Sequence, residues 1–179
     1  MGLHEAIDRI LPGVAKPVRY LGGEYGSVVK EIQPGMVRYA FLFPDVYEVG
    51  MSHLGMKILY DGINRRPDAW CERVFSPWPD MHDAMKAAGV PLFSLESRTG
   101  IAEFDLLGIT LQYEMSYTNI LSALDLSGIP LKSCDRDSGP FVIAGGPCAF
   151  NPEPLADYVD FFVLGDGEQA TGDTIDCYK

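Results

Sequence analysis

Short, dense apolar runs alternate along the chain with stretches whose apolar residues recur every three or four positions. Met36–Phe43 (MVRYAFLF) is nearly all apolar toward its end and stops at Pro44-Asp45. In Asp105–Met115 (DLLGITLQYEM), Leu106, Leu107, Ile109 and Leu111 are interrupted only by Gly108 and Thr110. A short run that is apolar on both faces predicts a central strand of a parallel sheet. Glu72–Ser76 (ERVFS), Phe141–Ala144 and Tyr158–Leu164 (YVDFFVL) predict further strands. The intervening periodicity is helical. Leu54, Ile58, Leu59 and Ile63 stripe a helix over His53–Asn64, with Ser52 as its N-cap. Met81, Ala84, Met85 and Ala88 stripe a second over about Asp80–Ala88, and Tyr117, Ile120, Leu121 and Leu124 a third over Ser116–Leu126. Gly89 with Pro91, and Gly128 with Pro130, end these two in the same way: a left-handed glycine cap, then a proline that cannot continue the helix. One helical turn is expected at Glu153–Ala156, and a last helix from the Gly165-Asp166-Gly167-Glu168 loop to Lys179. Strands alternating with helices predict a parallel sheet covered on both faces. With five strands the expected fold is α/β, a flavodoxin-like, three-layer domain of strand order 2-1-3-4-5.

The expected domain occupies residues 36–179. Ahead of it, Ala6, Ile7, Ile10 and Leu11 mark a short helix that Pro12-Gly13 stops. The glycine-rich segment from Arg19 to Val29 reads as an extended arm packed on the domain or a neighbour, or equally as a loosely ordered leader. Gly55 and Gly62 lie seven apart on the striped face of the first long helix. A helical glycine costs about 1 kcal/mol relative to alanine. Their presence therefore predicts close approach to the sheet or a ligand, with packing the preferred explanation.

A chain of 179 residues is one ordinary domain with room for a real core. Its net charge of −11, with Lys and Arg scattered, argues against direct binding of nucleic acid. No window approaches the roughly 18 uninterrupted apolar residues of a membrane span. The N-terminus carries acids and lacks a signal peptide's basic start and apolar core. Ala6 stands where a myristoylation signal has a hydroxyl. Cys71, Cys134, Cys148 and Cys177 are far apart, without CxxC or CxxxCxxC spacing, so no zinc or iron–sulfur site is expected in this chain. Free thiols and a cytoplasmic location follow.

In an open α/β sheet, ligands bind beyond the carboxyl ends of the strands. There the first strand supplies Asp45, Ser52 and His53, and the third supplies Gln112, Tyr113 and Glu114. The fourth supplies Gly145 and Gly146, the fifth Gly165 with Glu168 nearby. Glycines let backbone approach a flat or bulky ligand. The rim lacks a basic cluster, so bare phosphate is not its obvious target. A flavodoxin's Ser/Thr-rich phosphate loop is replaced by Asp45-Val46-Tyr47-Glu48. Gln112 and Gly165 stand where a response regulator has its phosphorylated Asp and its Lys. Gly165–Ala170 fits GxGxxA, but only nine residues follow, and Asp166 and Glu168 would repel a pyrophosphate. His53 reads as a metal ligand or a helix cap, with the cap preferred. His4 and His82 lie in the leader and on a surface helix, so no nucleophile triad and no complete catalytic apparatus is expected.

RYLGGEYGSVVK, FPDVYEVGMSHLGMKILYDGINRRPD, ERVFSPWPDM, PLFSLESR, LQYEMSYTNIL and VIAGGPCAFNPEPLADYVDFFVLGDGE together resemble the N-terminal region of cobalamin-type radical-SAM proteins, over roughly residues 17–179. The resemblance implies a cobalamin-binding-type Rossmann domain, followed in the family by a radical-SAM barrel. In that barrel a CxxxCxxC motif holds a [4Fe–4S] cluster that cleaves S-adenosylmethionine. This chain stops before any such motif, so cluster and S-adenosylmethionine are expected only in a downstream domain, which is the expected partner. Thr110, Gln112, Gly145 and Gly146 match positions where such domains hold the corrin's nucleotide tail. Asp45, Ser52, His53, Tyr113 and Gly165 complete the implied cofactor side, and Glu168 falls in the GDGE segment leading toward the barrel. Cobalamin domains carry DxHxxG, whose His replaces the lower cobalt ligand. Ser52-His53-Leu54-Gly55 lacks the Asp and is one residue short between His and Gly. The resemblance thus implies cobalamin bound without that ligand, or a domain that has lost cobalamin and serves the barrel as scaffold or substrate clamp.

Overall fold

The apolar runs line up as five parallel strands in the computed structural model, which describes residues 2–179. They are β1 (Val37–Phe43), β2 (Ala69–Phe75), β3 (Leu106–Thr110), β4 (Phe141–Gly145) and β5 (Phe161–Val163). Their order is β2-β1-β3-β4-β5, as the alternation predicted. Register places Tyr39 beside Leu106 and Leu106 beside Phe141, and Phe41 beside Gly108 and Gly108 beside Ile143. Every residue of β3 is buried, as the central position of a doubly covered sheet requires.

Side chains alternate across a strand, so each one feeds two cores. Leu42 and Leu107 face a layer containing α1 (Leu3–Ile10), α4 (Pro79–Ala88) and α5 (Tyr117–Leu126), where Ile7, Met81 and Ile120 pack. Tyr39, Phe41 and Ile143 face the opposite layer of α3 (Leu54–Asn64) and α6 (Gly167–Tyr178), where Met56, Ile63 and Ile175 pack. A short α2 (Tyr47–Ser52) leads from β1 into α3. Gly89 and Gly128, at φ 64° and 68°, close α4 and α5 in the left-handed conformation the sequence predicted.

The segment before β1 packs on the domain. Val28 donates its N–H to the Tyr60 hydroxyl at 2.8 Å and accepts from the Trp70 indole at 2.9 Å. Lys30 Nζ donates to the carbonyls of Asn64, Arg66 and Ala69 at 2.8, 2.7 and 2.6 Å. These bonds tie the arm to the end of α3 and the start of β2.

Three elements depart from the sequence reading. β2 starts at Ala69 rather than Glu72, because Ala69, Trp70 and Cys71 continue the ladder against Val37, Arg38 and Tyr39. β5 keeps only three residues, and ahead of them Asp160 holds Val142 from both sides, donating its N–H to the carbonyl at 2.9 Å and accepting the Val142 N–H on its carboxylate at 2.6 Å. On α3 the buried line is Met56, Tyr60 and Ile63, while Leu54 and Ile58 are 69% and 44% exposed. Gly62 abuts nothing within 4 Å of where a Cβ would stand, so it serves no close approach.

Candidate functional site

Beyond the carboxyl ends of the strands a cleft opens between the sheet and the α3/α6 layer, with a cavity volume of about 140 Å3. Tyr39, Phe41, Ile109, Ile143 and Val163 form its sheet wall. Met56 and Leu59 of α3 and Thr171 and Thr174 of α6 form the facing wall. The mouth is mostly backbone: Gly55, Gly145, Gly146, Gly165 and Gly167 line it with His53 and Gln112.

Of the residues singled out in the sequence, His53, Thr110, Gln112, Gly145, Gly146 and Gly165 share this cleft. Gln112 donates from Nε2 to the Thr110 hydroxyl at 2.5 Å, which folds its amide back onto the end of β3. Asp45 and Tyr113 sit on the same rim but outside the cleft. The Tyr113 hydroxyl donates to the Asp45 carboxylate at 2.9 Å, and that carboxylate holds the phenol above its ordinary pKa. Ser52 and Glu168 lie elsewhere. Ser52 is exposed, and its hydroxyl donates to the Val49 carbonyl at 2.7 Å, so it closes α2 rather than capping α3. Glu168 lines a neighbouring groove between α3 and α6, beside Arg65 and Arg66. Its position one residue into α6 turns it away from the glycine mouth.

His53 is the N-cap of α3. Its Nδ1 accepts the Met56 N–H at 3.1 Å, and its ring packs on Phe43 at 5.2 Å between centroids. A neutral imidazole that accepts at Nδ1 carries its proton on Nε2. The capping bond therefore leaves no lone pair for a metal. His53→Ala is expected to lower stability by about 1 kcal/mol, the worth of a cap, measurable by chemical denaturation.

Tyr39, Leu59, Thr171 and Thr174 were not anticipated. A signal for the first existed: Gly108 interrupts a fully buried strand, and strand glycines mark close approach. A Cβ there would stand 1.9 Å from the Tyr39 hydroxyl, so Gly108 gives up its side chain to the tyrosine of the neighbouring strand. Large apolar side chains are also exposed around the rim: Leu54 at the start of α3, Met115 after β3, Phe150 after β4 and Leu164 after β5.

Residues 55–179, which include both helical walls of the cleft, match the family described as radical SAM proteins, N-terminal. The chain belongs to this family. It is also 28% identical over 133 residues to the uncharacterized protein MJ0966 of Methanocaldococcus jannaschii. That match covers 72% of this chain and 24% of the relative, so the chain spans about a quarter of the relative's length. The fold described above is therefore that of an N-terminal portion of radical SAM proteins. No helix among the described residues is long and apolar enough to cross a membrane.

Proposed function

We propose that this domain is the cofactor-binding module of a radical-SAM protein, without catalysis of its own, and that it takes cobalamin at the glycine mouth of the cleft. The observation that carries the reading is an apolar cleft at the carboxyl ends of the sheet whose entrance is built from glycines. A cavity of about 150 Å3 accommodates a benzene ring. The cleft is of that size, which suits one flat ring of the nucleotide tail and leaves the corrin on the rim. On the rim, Gly145, Gly146, Gly165 and Gly167 offer bare backbone, and Met115, Phe150 and Leu164 offer apolar surface. When bound, cobalamin supplies a redox-active cobalt that can carry an alkyl group. The chain's own part is to hold and orient it: the strand ends floor the cleft, Thr110 and Gln112 edge it, and His53 fixes α3 without ligating. The [4Fe–4S] cluster and S-adenosylmethionine belong to the radical-SAM domain expected as partner.

Hydroxocobalamin mixed with the purified chain should co-elute in gel filtration, read by corrin absorbance. Gly145→Leu should abolish co-elution while leaving circular dichroism unchanged, because a Cβ at Gly145 meets only ordinary contacts, 3.5 Å or more from Val163, and the longer side chain fills the mouth. Absence of corrin from the wild-type peak would overturn this reading. It would favour a second one, a cobalamin-free scaffold or substrate clamp, which the exposed apolar rim also suits, since such patches mark docking faces.

A further inference from the structure

A second hollow lies at the amino ends of β3, β4 and β5, against the last turns of α6. Its volume is about 360 Å3, against about 140 Å3 for the cleft, and Thr174 borders both. Phe141, Phe161 and Tyr178 line it, yet stay 52%, 39% and 40% exposed. Strand alternation puts Phe141 on the same face as Ile143, and Phe161 is the neighbour of Ile143 in the ladder. Phe141 and Tyr178 meet nearly at right angles, 77° between planes and 6.2 Å between centroids. Aromatic rings exposed together in one concavity mark a binding surface, where single exposed rings would not. The polar groups decide its chemistry. The Tyr178 hydroxyl donates to the Asp105 carboxylate and the Thr174 hydroxyl to the Ala170 carbonyl, each at 2.8 Å. A hydroxyl has one hydrogen to give, so neither is left for a ligand, and the Cys177 thiol is a weak donor. Asp173 is exposed at the edge, and among the described residues its carboxylate has neither an ion pair nor a hydrogen bond. The hollow thus offers an anion nothing and a cation two attractions, aromatic rings and a free carboxylate. A primary ammonium is strongly hydrated and brings three donors, more than one carboxylate edge satisfies. A quaternary ammonium brings none, and its methyl groups suit the apolar walls.

We propose that this hollow is a second ligand site, independent of the cleft, that takes the quaternary ammonium head of a small molecule. Phe141, Phe161 and Tyr178 surround the cation, and Asp173 is its counter-charge.

Choline and 3,3-dimethylbutan-1-ol test it, because they have one shape and differ in a cationic nitrogen against a neutral carbon. In an NMR titration followed on the backbone amides of the purified chain, choline should bind on the order of tenfold more tightly than the alcohol. It should shift Asp173, Cys177 and Tyr178 and leave Gly145 and Gly165 in place. Ethanolamine, the same cation without its methyl groups, should bind more weakly than choline. Asp173→Asn and Phe141→Leu should each bring choline down toward the alcohol. Asp173 has no protein partner to lose, so thermal unfolding of Asp173→Asn should match the wild type and the loss belongs to the ligand. No binding of choline, affinities for choline and either comparison compound that are equal, shifts confined to the cleft, or an advantage of choline that survives in either variant would each overturn the proposal.

Discussion

Glu72→Ala is expected to cost about 3–5 kcal/mol of folding free energy, the loss that follows when a buried charge is left without its partner. Glu72 lies in the middle of β2 with its side chain fully buried. Its carboxylate accepts from Arg38 Nη2 at 2.5 Å, from the Ser94 hydroxyl at 2.7 Å and from the Ser97 N–H at 3.0 Å. Arg38 is itself largely enclosed, its guanidinium 4.3 Å from the centroid of Phe104. Truncating the acid strands that cation and removes the acceptor shared by three donors of the 94–97 segment, the Ser94 hydroxyl, the Ser97 hydroxyl and the Ser97 N–H. The same segment bonds the next residue of the strand: the Leu95 N–H donates to the Arg73 carbonyl at 2.9 Å, and Glu96 pairs with Arg73 Nε at 2.6 Å. It thereby covers the outer edge of β2, which would otherwise be open to pairing with another chain. Domains of this kind have total stabilities of about 5–15 kcal/mol, so the loss is a large share of the whole. Arg38→Met/Glu72→Leu removes both charges and is expected to recover most of it, since apolar replacements of buried pairs are often neutral or stabilising. Urea unfolding followed by the fluorescence of Trp70, on the same strand, measures both variants. A loss below about 1 kcal/mol for Glu72→Ala would mean that water reaches the pair, as it does for surface ion pairs.

Glu72 and Arg73 also explain where the sequence was hard to read. A hydrophobicity pattern reports how much apolar surface a segment carries, and two charges in mid-strand split Ala69-Trp70-Cys71 from the rest of β2, although both charges are buried and paired with residues distant in the chain, Glu72 with Arg38 and Arg73 with Glu96. β3 had no such interruption, and with the glycine-proline stops of α4 and α5 it was enough to place the sheet order. α3 carries two apolar lines, Leu54-Ile58 and Met56-Tyr60-Ile63. Only the position of the cap decides between them, and the cap is His53, whose side chain also fits a ligand pattern. The rim was legible because strand-end glycines mark it, so six of the residues singled out meet in one cleft. Ser52 and Glu168 were not, because their placement depends on where α2 ends and on which way α6 turns. The walls of the cleft are ordinary core side chains, and only Gly108 hinted that one of them, Tyr39, had been given extra room.

Gly146→Ala is expected to destabilise the domain by about 2–3 kcal/mol, whereas Gly145→Ala should be neutral or slightly stabilising. The two glycines look equivalent in the sequence and are not. Gly146 adopts φ 106° and ψ −175°, a region essentially closed to residues with a side chain, and a Cβ there would stand 3.0 Å from the Leu111 carbonyl oxygen. That oxygen already accepts the Cys148 N–H at 3.1 Å, while the Leu111 N–H donates to Gly145 at 2.7 Å. The turn after β4 is thus stitched to the end of β3, one residue from Gln112, and a methyl group at Gly146 pushes against the stitch. Gly145 has ordinary strand geometry and space beside Val163, and replacing a glycine in such a place mainly removes entropy from the unfolded chain. Paired denaturation curves should therefore separate the two alanine variants by at least about 2 kcal/mol. Loss of ligand in a Gly146 variant would follow from the displaced turn whether or not a ligand ever touched it. Only at Gly145, where the backbone tolerates a side chain, does a filled cleft report on what the cleft binds.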